Sequence, residues 1–98
     1  MGIFKRNKPL FFLQGKRRNQ KAFKQLCEIG FTPAEARRML IAGNNIRVKH
    51  LARNANITAP TIYAACYGTR NNATGQAILA KALDIPITEL FPEEERNG

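Results

Sequence analysis

Residues 54–70 read NANITAPTIYAACYGTR, and between Arg53 and Arg70 no side chain carries a charge. The chain around this stretch is strongly basic, with a formal net charge of +9 over 98 residues. The segment is therefore either a helix bound for a core or an uncharged surface with a purpose. Helical period decides between them. Thr58 suits an N-cap, Pro60 falls in the first turn where its missing N–H costs nothing, and Gly68 supplies a left-handed stop. Over the intervening helix, 59–67, Ile62, Ala65 and Cys66 share one side. Pro60, Tyr63, Ala64 and Tyr67 share the other, with Ala59 and Thr61 at the flanks. The inner side is core, and the outer side is left for a partner.

Immediately upstream, Arg47–Ala55 reads as a helix with Val48, Leu51, Ala52 and Ala55 on one face. Asn56 tolerates positive φ, so it can reverse the chain, and Ile57 is the lone apolar residue of the turn. Ala52 allows close approach, while Ile57 and Ile62 fill the angle between the two helices. Two short helices joined by a three-residue turn are the pattern of a helix-turn-helix.

The rest of the chain is also helical in period. Gln20–Ile29 is amphipathic, with Phe23, Leu26 and Cys27 opposite Lys21, Lys24, Gln25 and Glu28. Gly30 stops it and places Phe31 to fold back on Leu26. In TPAE, Thr32 is the N-cap, Pro33 the first helical residue and Glu35 the partner of a capping box. That helix is predicted to reach Ala42, burying Ala36, Met39 and Leu40, before Gly43–Asn45 end it. Gly75–Leu83 follows with Thr74 as cap and Ile78, Leu79, Ala82 and Leu83 inward. Thr88–Phe91 forms a last turn closed by Pro92.

Residues 1–19 have no helical period and read as a basic arm or a small hairpin, with Ile3–Arg6 and Leu10–Gln14 as its strands. Leu10–Leu13 is an apolar cluster that marks a contact surface, on this chain or on another copy. Residues 20–92 make a helical domain, and residues 93–98 an acidic, solvated tail.

A chain of this length supports one core. No apolar run approaches the roughly 20 residues of a membrane span, and Leu10–Leu13 is too short for a signal-peptide core. A cytoplasmic, non-membrane protein is expected. Cys27, Cys66 and His50 fit neither a disulfide framework nor a metal site. There is no phosphate loop, no nucleophile with a supporting base, and no carboxylate pair outside the tail. Neither an enzyme, nor a cofactor, nor a small-molecule substrate is expected. Net charge is +7 over residues 1–30, +5 over 31–70 and −3 over 71–98. A basic body with an acidic end suits a polyanion, nucleic acid first, with a ribosome-associated factor as the plainer alternative.

Two stretches carry a family likeness. LARNANITAPTIYAACYGTRN (Leu51–Asn71) resembles the helix-turn-helix of Xre/Cro and lambda-repressor-like DNA-binding proteins. ILAKALDIPITELF (Ile78–Phe91) resembles that family's fourth helix and closing turn. The resemblance covers about residues 33–92. It departs at Asn56, where the family usually has Gly, and at Arg47–Val48, where it often has Gln or Ser. It implies an all-α bundle of about five to six short helices with a basic N-terminal extension. It also implies a bacterial or phage transcriptional regulator, with repression the first expectation.

Under that resemblance, helix 59–67 enters the major groove of double-stranded DNA. Ala59, Pro60, Tyr63, Ala64 and Tyr67 then read bases. Arg47, Lys49, Arg53, Thr58, Thr61, Arg70 and Asn71 hold the backbone. Lys16, Arg17 and Arg18 form an arm. A homodimer is expected, paired through Leu10–Leu13 or, less favoured, around Leu90 and Phe91. The bland readings are packing tyrosines and solvated cations. An antitoxin-like interaction module and a non-specific nucleic-acid binder remain as alternatives.

Overall fold

The structure is a computed structural model that describes residues 17–96, and every regular element among them is helical. Seven helices follow in order: α1 Arg18–Glu28, α2 Pro33–Gly43, α3 Val48–Ala55, α4 Ala59–Tyr67, α5 Ala73–Leu83, α6 Ile87–Leu90 and α7 Glu93–Arg96. None is long and apolar enough to cross a membrane.

One device ends the first five helices. The chain turns through a left-handed or positive-φ residue, Gly30, Asn45, Asn56, Gly68 or Asp84. The next N–H then donates back to a carbonyl five residues earlier: Phe31 to Leu26 and Ile46 to Ile41 at 3.0 Å, Ile57 to Ala52 at 2.9 Å, Thr69 to Ala64 at 3.1 Å and Ile85 to Ala80 at 3.0 Å. This bond satisfies a carbonyl that the helix itself leaves open. The residue that follows the reversal is apolar in four cases, and Ile46, Ile57 and Ile85 pack on the core. The fifth, Thr69 after α4, is exposed.

The capping box of α2 is complete: Thr32 Oγ1 accepts from the Glu35 amide at 3.1 Å, and Glu35 Oε1 accepts from the Thr32 amide at 2.9 Å. The carboxylate is thereby held below its usual pKa, first by the Thr32 amide and then by the Thr32 hydroxyl. Other starts differ from the sequence reading. α5 is capped by Asn72, not Thr74, with Asn72 Oδ1 accepting from the Gly75 amide at 2.9 Å. Asn72 Nδ2 in turn donates to Thr61 O at 3.3 Å, so a tertiary bond selects this cap. Thr58 occupies the N-cap position of α4 but makes no cap bond; its hydroxyl pairs with that of Thr61 at 2.9 Å. α1 starts two residues earlier than expected, at Arg18, with Asn19 Nδ2 donating to Leu83 O at 3.0 Å.

The core gathers Ala36 and Leu40 from α2, Val48 and Ala52 from α3, Ile62, Ala65 and Cys66 from α4, and Leu79 and Leu83 from α5, closed by Ile85, Leu90 and Phe91. α5 lies so close to α4 that a Cβ on Gly75 would stand 2.9 Å from the Ala65 Cβ and 3.0 Å from Thr61 O. Only a residue without a side chain fits there.

Met39, expected inside, is 42% exposed, and Arg37 is fully buried in its place. The inward arc of α2 runs through Ala36, Arg37 and Leu40, which leaves Met39 on its flank. The Arg37 guanidinium is tolerated because every edge is answered. Its Nε donates to Cys66 O at 2.8 Å, one terminal nitrogen to Leu90 O at 3.0 Å, and the other to Glu95 Oε1 at 2.8 Å. The Phe91 ring covers its face at 4.4 Å. Glu95, read as part of a solvated tail, is therefore half-buried in α7. Gln76 Nε2 also holds the Glu95 carbonyl, at 2.9 Å.

Candidate nucleic-acid interface

The helix Ala59–Tyr67 has the bounds expected of it. Ile62, Ala65 and Cys66 are buried, while Tyr63 is 40% and Tyr67 47% exposed. Pro60 is exposed, and Ala59, Thr61 and Ala64 are half-buried. Two α3 residues of the inner face, Val48 and Ala52, seat the helix from below. The outer face is therefore small, nearly uncharged and dominated by two phenol rings, 5.8 Å apart between centroids and inclined at 42°. Tyrosine suits such a position because it offers an apolar body and a polar tip.

The expected backbone contacts surround this face unevenly. Arg47, Lys49 and Arg53 are exposed on and just before α3, and together with His50 and Tyr63 they border a shallow hollow of about 390 Å³. Arg70 and Asn71 are exposed in the loop after α4, and Thr58 is exposed at its start. Tyr63 is thus brought beside the α3 cations, while Tyr67 lies toward α2. Arg38 of α2, a residue the sequence reading did not single out, places its guanidinium carbon 5.4 Å from the Tyr67 ring centroid. Only its position on the outer flank of α2, beside the inward arc, hinted at this.

Of the arm residues, Lys16 and the Leu10–Leu13 cluster lie outside the described residues, as do the two hairpin strands. Arg17 is the N-cap residue of α1, and Arg18 opens that helix with a bond to Asn44 Oδ1 at 3.2 Å. Leu90 and Phe91 are wholly buried in this subunit, which removes them as a surface for pairing copies. A hollow of about 900 Å³ lies against Phe23, Lys24 and Cys27 of α1, and neither tyrosine lines it.

Burial pushes the thiols of Cys27 and Cys66 up from their ordinary pKa, against the pull of Arg37. Both therefore remain neutral thiols rather than nucleophiles at neutral pH. No cluster of three His, Cys, Asp or Glu side chains suited to a metal exists among the described residues. Comparison with protein families, with curated proteins and with solved structures finds no match to this chain.

Proposed function

We propose that this protein is a sequence-specific DNA-binding transcriptional regulator of bacterial or phage type, with repression the first expectation, that lays α4 in the major groove. The observation that carries the reading is the outer face of α4. Tyr63 and Tyr67 stand out from a charge-free helix whose opposite side is wholly buried. The order of α2 to α6, with a left-handed Asn56 between α3 and α4, supports a lambda-repressor-like arrangement in which the second helix of the pair is inserted.

In this mechanism charge and information are divided. Arg47, Lys49, Arg53 and Arg70 draw in the phosphates, and Thr58, Thr61 and Asn71 add polar contacts to the backbone. Ala59, Pro60 and Ala64 pack on thymine methyl groups, while the two tyrosines reach base edges. The protein acts in the cytoplasm as a homodimer, paired through Leu10–Leu13. Two-fold symmetry then sets half-sites about 34 Å apart.

Selection of bound fragments from random duplex DNA tests the reading. A palindromic consensus with half-sites about one turn apart is the expected result. Fragments with no common sequence would refute base reading by α4.

A further inference from the structure

We propose that Arg38, which lies outside the two-helix unit, is a further phosphate contact of this surface, held ready by the ring of Tyr67. The inference rests on the DNA-binding reading above and extends it to α2.

The geometry forms a line. The Arg38 guanidinium sits 5.4 Å from the Tyr67 ring, Tyr67 lies 5.8 Å from Tyr63, and Tyr63 borders the hollow shared with Arg47, Lys49 and Arg53. The aromatic pair is therefore bracketed by positive charge at both ends. Arg38 is the cation that the structure sets against Tyr67, as Arg47, Lys49 and Arg53 are set beside Tyr63. A groove-reading element needs phosphate contacts on both of its flanks, because strands of the duplex border the groove on each side.

Arginine over an aromatic ring suits this task. The ring attracts the guanidinium through its π face and takes up none of its N–H donors, which stay available for an anionic oxygen. The contact also limits the rotamers of a long side chain, so less freedom is lost when the anion arrives. The acidic group facing Arg38 on its own helix is Glu35, one turn earlier. Glu35 Oε1 is engaged by the Thr32 amide at 2.9 Å in the capping box, so this carboxylate is already committed. Arg37, next in sequence, is turned inward and cannot substitute.

The test compares full-length wild type, Arg38→Gln and Arg38→Lys by fluorescence anisotropy. The probe is a labelled mixed-sequence duplex of about two helical turns, titrated over about 50–200 mM salt. Arg38→Gln is expected to reduce the slope of log affinity against log salt by about one unit, and Arg38→Lys to keep the slope while binding more weakly. Because Arg38 is exposed, both variants fold, which circular dichroism verifies. A wild-type slope in Arg38→Gln overturns this contact alone. Absence of salt-dependent duplex binding by the wild type overturns the DNA reading itself.

Discussion

Helices α2 and α4 reverse the usual relation between charge and depth. The charged one, PAEARRMLIAG, sends a guanidinium into the interior, while the uncharged one, APTIYAACY, puts two tyrosines on the surface. The difference lies in available partners. Arg37 meets two backbone carbonyls, a carboxylate and a ring, enough to replace the water it gave up. Tyr63 and Tyr67 have each other, with Arg38 beside Tyr67 and the α3 cations beside Tyr63, and both reach solvent. Side-chain type alone would have placed each of them the other way round.

The largest way to break this comparison is Arg37→Ala. It empties a filled site and takes their guanidinium partner from Cys66 O, Leu90 O and the Glu95 carboxylate at once. A loss of about 3–5 kcal/mol is expected in urea unfolding. A loss under about 1 kcal/mol would show that the guanidinium contributes little to the fold.

Tyr63→Ala probes the other helix. Binding to a selected site is expected to weaken by about 1–3 kcal/mol with little change for random duplex. Folding stability should fall by no more than about 1 kcal/mol, since Tyr63 is 40% exposed and not among the buried core residues. Equal weakening on both duplexes would argue against base reading.

Gly75→Ala sharpens the seat of α4 rather than its face. Helix propensity favours alanine by about 1 kcal/mol, but the new methyl group meets the Ala65 Cβ and the Thr61 carbonyl. The net loss expected from thermal melting is about 1–2 kcal/mol, and a gain would mean that α5 moves away freely.

The smallest effect concerns Glu35 at the start of α2. Its pKa is depressed in the folded chain, so its contribution is present above the unfolded value and is lost as pH falls through the folded one. Glu35→Gln is expected to remove that increment of acid dependence while leaving the remainder of the melting curve's pH profile alone. An identical profile in both proteins would refute the linkage.

What was legible in the sequence was mostly local. Thr32 with Glu35, Gly68, and Asn56 each act within one turn of chain, and each is where the pattern put it. The split of Ala59–Tyr67 into two faces is likewise a property of the helix itself. What escaped depends on distant partners. Asn72 displaces Thr74 as a cap because Thr61, eleven residues earlier, offers its carbonyl. Arg37 displaces Met39 because Glu95, far along the chain, supplies a counter-charge. Glu95 sits in a run of three glutamates, Glu93–Glu95, and nothing in that run marks the one that packs. Arg38 gained meaning only once Tyr67 was beside it.

The double engagement of Asn72 has a bearing on how this surface can vary. One amide fastens the first turn of α4 to the first turn of α5, and Gly68 fixes the other end of the connection by its left-handed geometry. The stretch carrying Arg70 and Asn71 is thus a strut clamped at both ends, five positions from clamp to clamp. An added or deleted residue would have to unseat one clamp, whereas exchanging Arg70 leaves the Asn72 bonds and the Gly68 turn in place. Divergence among relatives of this protein should accordingly replace the side chain at position 70 and leave the length of the strut alone.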